Sequence, residues 1–129
     1  PGELKTIMVG LSCGQPSPLA WKRLRNHDCH FVAIPDECAA ATMSLLADCY
    51  DIVASESGAA GLAALLCIAL RPGLRTVIGL DNASVVLVIG TEGAGDVESY
   101  SGTTGIRNLG RPDRVVGEDC GGDGFTRMA

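Results

Sequence analysis

Positive charge is in short supply in this sequence. Ten Lys and Arg stand against fifteen Asp and Glu, a formal net charge of -5. That balance argues against a nucleic-acid partner, because neutralising phosphates needs clustered basic side chains. Long hydrophobic runs are missing as well. The longest, Gly61 to Leu70, falls well short of the roughly 20 apolar residues that a bilayer-spanning helix needs. The six cysteines include no C-x-x-C, which leaves a zinc ribbon or thioredoxin-type site without support. The amino end, P-G-E-L-K, shows neither an initiator Met nor a secretory leader. The expectations are therefore reduced thiols, a cytoplasmic location and a chain that begins inside something longer. Aromatics make up only 4% of the residues, so the core must be built from Ala, Leu, Val and Gly. The remaining 129-residue composition is that of one globular domain, or a piece of one.

What is present alternates between helical and extended patterns. Ser17-Pro18 opens a helix, with the cap first and the proline at the first helical position. It is expected to bury Leu19, Ala20, Leu24 and Trp21. His30 to Ile34 reads as a short buried strand closed by Pro35. Asp36 then caps a second helix, with Cys38, Ala41, Thr42, Leu45 and Leu46 on one face. A third helix starts near Ser57 as its cap, and Leu62, Leu65, Leu66 and Ala69 fall at helical spacing. Its first turn, through Gly61, carries no bulky side chain. Backbone N–H groups at such a helix start can be approached closely by an anionic or polar ligand. Ser84 to Ile89 is β-branched and apolar throughout, as a central parallel strand would be. The pattern as a whole predicts the α/β class with a parallel sheet. In such sheets ligands gather at the carboxyl ends of strands, where Ser55–Gly58 and Gly90–Gly95 should both lie.

Gly90 to Gly95, G-T-E-G-A-G, is neither a dinucleotide fingerprint nor a Walker loop: it lacks both G-x-G-x-x-G and G-K-[ST]. Its Thr91 would place a hydroxyl at a strand end, close to where Glu56 emerges. Two polar groups converging on a glycine-lined pocket suit a planar heteroaromatic cofactor. His27, Cys29 and His30 lack a second ligand pair for a metal, and Asp119 and Asp123 miss the spacing of an EF-hand. From about Val97 onward glycines interrupt any apolar periodicity, which predicts a poorly ordered tail over residues 97–129 beyond a domain spanning 1–96.

Four blocks, in order, resemble the diaminopropionate ammonia-lyases, pyridoxal-phosphate enzymes of the tryptophan synthase β fold type. They are T-I-M-V-G-L-S-C-G-Q-P-S-P-L-A-W at Thr6–Trp21, F-V-A-I-P-D-E at Phe31–Glu37, E-S-G-A-A-G-L at Glu56–Leu62 and T-E-G-A-G-D at Thr91–Asp96. The same blocks are more loosely similar to serine and threonine dehydratases, through Thr6–Gly10 and Glu56–Ala59. The resemblance implies part of the large domain of a fold-type II enzyme, a partial parallel sheet with flanking helices. It implies pyridoxal 5'-phosphate as cofactor and an α,β-elimination that converts 2,3-diaminopropionate to pyruvate and ammonia. Gly90 and Thr91 would stand at the ring nitrogen, Glu56, Ser57 and Gly58 beside the ring, and the loop from Gly10 to Gly14 near the pocket mouth. Gly90 departs from the serine expected in many relatives, and Gly95 from a larger polar residue.

The family's chains are much longer, and their Schiff-base lysine and glycine-rich phosphate cup lie in a part this sequence does not contain. Its two lysines, Lys5 and Lys22, sit in no motif that would hold them against a cofactor. No catalytic residue is therefore assigned, and the segment alone is expected to be inactive. Two other assignments stay open on the residues: a dehydratase segment, and a non-catalytic α/β module that binds a small anion or a partner. A partial sheet with an uncovered edge also predicts homodimers or other self-association.

Overall fold

The computed structural model describes residues 4–93 and 97–105 of the chain. After a single 3-10 turn at Val9–Leu11 come five α-helices: α1 (Pro18–Leu24), α2 (Asp36–Tyr50), α3 (Glu56–Ala69), α4 (Pro72–Ile78) and α5 (Val97–Thr104). The contact between α2 and α3 dominates the packing, with α4 and the Val9–Leu11 turn against α3 and α5 against α2.

Local chemistry explains most of the boundaries. Ser17 is extended and its hydroxyl accepts from Ala20 N–H, with Pro18 supplying the fixed φ of the first helical position. Asp51, in the left-handed conformation at φ 53°, ends α2, and the Ile52 N–H closes on the Leu46 carbonyl. Pro72 both ends the run of α3 and begins α4, since a proline ring cannot continue a helix but starts one readily. The two axes meet at a bend of 112°. No single helix among the described residues is long and apolar enough to cross a membrane.

The faces that meet differ from those the apolar spacing predicts. On α2 the buried residues are Ala39, Thr42, Met43 and Ala47, whereas Ala41 is exposed. On α3 they are Ala59, Ala60, Ala63 and Ile68, whereas Leu62, Leu65, Leu66 and Ala69 are only half-buried. The reason is steric: alanines on both helices let the backbones approach closely, and the bulkier leucines turn aside. Thr42 is tolerated in this seam because its hydroxyl donates to the Cys38 carbonyl one turn back at 2.7 Å. Met43, Ala47, Ala54, Ala59 and Tyr100 form one core cluster, and Met8, Ala39 and Ala60 a smaller one.

Tyr100 lies on α5, inside the stretch predicted as a tail. Its side chain is 2% exposed against α2 and α3 residues, so one aromatic anchors a helix that has no apolar periodicity of its own. Residues 106–129, with Asp119 and Asp123, and residues 94–96, with Gly95, lie outside the described part.

The predicted parallel sheet is not formed: among the described residues there is no strand. A strand exists only where a neighbour completes its hydrogen-bond ladder, and neither His30–Ile34 nor Ser84–Ile89 has one here. The second still alternates. Val85 is 99% exposed, Leu87 85% and Ile89 73%, while Val88 is half-buried and would touch a side chain placed on Gly61 of α3. The period of two is that of a strand with one face on a helix and the other uncovered. The expected burial of α1 fails as well: Leu19, Trp21 and Leu24 are exposed, with Trp21 set against Phe31 at 6.3 Å. Of the cysteines, 13, 29, 38 and 67 are free, as the reduced-thiol expectation has it, but Cys49 is disulfide-bonded.

Truncating Tyr100→Ala removes the aromatic that seats α5 on α2, and should cost about 3–5 kcal/mol, the range for emptying an aromatic site. Urea unfolding followed by circular dichroism measures it; a loss below about 1 kcal/mol would show that α5 is not part of the core.

Candidate functional site

The amino end of α3 is where distant parts of the chain meet. Ser55 is the cap, two residues before the predicted Ser57. Its hydroxyl accepts from the Gly58 N–H at 3.0 Å and donates to Glu92 Oε2 at 3.0 Å. Its backbone N–H donates to the Glu92 carbonyl at 3.2 Å, so the segment after Ile89 is tied to Ser55 through main chain and side chain together. Ser57 is left free to reach outward, and its hydroxyl accepts from the Gly10 N–H at 3.0 Å. The Val9–Leu11 turn is fixed from its other side by Asp36, whose carboxylate accepts from the Thr6 hydroxyl and the Ile7 N–H. Asp36 thus does not cap α2, as predicted; Pro35 holds that position and the Asp36 carboxylate serves the amino-terminal loop.

Glycine is required at these contacts for space. A Cβ on Gly58 would collide with the Glu92 carbonyl oxygen; one on Gly90 would lie 3.2 Å from the Gly58 carbonyl; one on Gly10 would lie 2.8 Å from Ser57 Oγ. Four of the predicted site residues, Gly10, Ser57, Gly58 and Gly90, are therefore brought to one corner. Glu56 Oε1 accepts from the Thr103 hydroxyl on α5 at 3.3 Å. Thr91 itself is exposed to solvent. The polar pair that bridges the two segments is Ser55 with Glu92, and the sequence carried one signal for it: Ser55 stands three residues before Gly58, the spacing of a capping serine.

Lys5 and Lys22 are both exposed. Among the described residues no cluster of three or more His, Cys, Asp or Glu could hold a metal ion. An apolar groove lies at the far end of α3, between His30–Pro35 and Cys67, Ile68, Arg71 and α4. It is remote from the glycine corner and shares none of its residues.

At this corner the start of α3 faces the segment after Ile89 across a serine–glutamate bridge, with Gly58 and Gly90 at the contact. Residues 1–89 match the family described as pyridoxal-phosphate dependent enzyme, and the chain belongs to that family. Among curated proteins it is similar to the diaminopropionate ammonia-lyase of Escherichia coli K12, 42% identical over 106 residues that cover 77% of this chain and 27% of the relative. The diaminopropionate ammonia-lyase of Salmonella typhimurium is 31% identical over 107 residues, 77% of this chain and 26% of the relative. The chain thus spans about a quarter of the length of the curated relatives it matches. No solved structure matches it.

The family is dependent on pyridoxal phosphate, and the corner can be tested for fit to that group. Its glycines, Gly58 and Gly90, are taken up in packing the two segments against each other, and the polar groups it offers a planar ring are the hydroxyls of Ser57 and Thr91. An amine to bind the cofactor's aldehyde is not among these residues. The fit is to one wall of a site.

Substituting Gly58→Ala forces a Cβ into the Glu92 main chain and should destabilise the fold by about 1–3 kcal/mol, as overpacking does. Ser55→Ala removes the cap and the bridge to Glu92 and should cost about 1 kcal/mol. Chemical denaturation reads both; an unchanged midpoint for Gly58→Ala would mean the two segments do not touch.

Proposed function

We propose that this chain is the cofactor-facing carboxyl-terminal part of an ammonia-lyase that converts 2,3-diaminopropionate to pyruvate and ammonia. The observation that carries the reading is the convergence of Gly10, Ser57, Gly58 and Gly90 at the amino end of α3, in a chain similar along most of its length to diaminopropionate ammonia-lyases. In that reading the two extended segments, His30–Ile34 and Ser84–Ile89, complete their ladders with strands of the longer protein and form part of a fold-type II parallel sheet.

Pyridoxal phosphate, when bound, supplies the electron sink for removal of the amino acid's Cα proton and departure of the β-amino group. This chain's residues bind and orient. Thr91, beside Gly90, offers an uncharged hydroxyl to the ring nitrogen, which tempers the sink and favours elimination over transamination. Ser57 and Gly58 stand beside the ring, and Glu56, braced by Thr103, closes that wall towards α5. The Gly10–Gly14 loop, anchored through Ser57 and Asp36, borders the mouth. No residue of this chain is given the proton-transfer role, so the isolated segment is inactive. Its location in this reading is the cytoplasm.

The deciding experiment restores the missing part. The segment is expressed in frame behind the lysine-bearing amino-terminal portion of its own gene, or of the E. coli relative, and pyruvate is followed with 2,3-diaminopropionate, serine and threonine as substrates. Turnover with diaminopropionate above the two hydroxy amino acids is expected, with a fall of roughly tenfold or more for Thr91→Val. Turnover of serine or threonine alone would overturn the substrate, and a cofactor-loaded but inert protein would overturn the lyase.

The isolated chain carries its own test. Val85, Leu87 and Ile89 present an apolar, uncovered face, and such faces associate. Size-exclusion chromatography with light scattering should find dimers or larger species at micromolar concentration; a monomer at every concentration contradicts an uncovered apolar face.

A further inference from the structure

Cys38 on α2 and Cys67 on α3 are free thiols, 29 residues apart in sequence, whose sulfurs are 3.1 Å apart, with the Cys67 S–H donating to Cys38 Sγ. Both are half-buried, and Cys67 opens into the apolar groove beside Ile34 and Arg71. Neither takes part in the glycine corner. We propose that Cys38 and Cys67 are an oxidisable dithiol that a peroxide converts to a disulfide joining α2 to α3.

The geometry favours this product over others. A disulfide needs sulfurs at about 2.05 Å, so the pair closes by about 1 Å, a movement within reach of side-chain rotation. The chemistry is balanced. The thiolate of one cysteine attacks a peroxide oxygen, the O–O bond breaks, and the sulfur becomes a sulfenic acid as the first water or alcohol leaves. The second thiol then attacks that sulfur, the S–S bond forms, and the sulfenic oxygen departs as water with the second proton. Two electrons pass from the sulfur pair to the peroxide. A partner this close intercepts the sulfenic acid before a further oxidant can.

Reduced, the pair is quiet: the hydrogen bond shared with Cys67, burial, and the Cys67 charge when it forms raise the Cys38 thiol from its ordinary value, with the Arg71 cation opposing. The reaction is accordingly one for raised peroxide rather than basal conditions. Its product would fasten together the two helices that hold the amino-terminal loop, α2 through Asp36 and α3 through Ser57.

The test treats the full chain with hydrogen peroxide in the presence of reduced glutathione, blocks remaining thiols by alkylation, cleaves after Glu56 and locates links by tandem mass spectrometry. A Cys38–Cys67 link, lost on adding dithiothreitol, is expected to be roughly tenfold or more abundant than glutathione adducts on Cys38 or Cys67, because the neighbouring thiol outcompetes glutathione for the sulfenic acid. Cys67→Ser should instead trap a glutathione adduct on Cys38. Separate adducts or sulfinic acids on Cys38 and Cys67 of the unmodified chain, or two thiols still open to alkylation when Cys13 is oxidised, would overturn the proposal whatever the fate of the variant.

Discussion

The hydroxyl of one serine holds the functional corner together. Ser55 Oγ satisfies an N–H of the first turn of α3 and grips the Glu92 carboxylate, while its own N–H takes the Glu92 carbonyl. Capping alone would be worth about 1 kcal/mol, but this cap also decides where the chain after Ser84–Ile89 must lie. Once Ser55 is occupied, Ser57 is available to the Gly10 N–H, and three segments separated by dozens of residues share one vertex. Gly58 follows from that demand, because a Cβ there would enter the Glu92 carbonyl, and Gly10 and Gly90 sit where a Cβ would crowd Ser57 Oγ and the Gly58 carbonyl.

The rest of the chain is arranged to present this vertex. A seam of alanines brings α2 and α3 close, with Met43 and Tyr100 filling what alanines leave open. Larger apolar residues are relegated to the periphery, where many remain uncovered. An alanine seam buries little area per residue, so such a core is thin at about 25 cal/mol per Å² of buried apolar surface. The alternating Val85–Ile89 segment, with one side on α3 and one side bare, has the form of a strand lacking its neighbours.

Much of the architecture was legible from residue order. Ser17-Pro18 acted through backbone geometry, which is local and therefore readable, whereas the left-handed stop after Tyr50 and the helix that opens at Pro72 were not read. The meeting of Gly58 and Gly90 was legible, since both were expected at the carboxyl ends of neighbouring extended segments. What escaped was set by tertiary context. Whether Ser55 or Ser57 caps depends on Glu92, and Asp36 serves a loop thirty residues away because that loop has unpaired donors. Glu56 turned to Thr103 because α5 exists, and α5 was hidden because a single buried tyrosine, not a pattern, secures it. The strands were legible as segments but not as a sheet, since pairing requires partners no pattern within one strand can provide.

The account rests on the vertex being a formed structure in solution. Amide hydrogen exchange resolved by residue tests that most directly, because Gly10, Ser55 and Gly58 each owe their bond to a different member of the corner. Slowed exchange at all three, against rapid exchange along Val85–Ile89, is the predicted result. Exchange at the rate of open loop amides at Ser55 and Gly10, with only the interior of α3 protected, would contradict it.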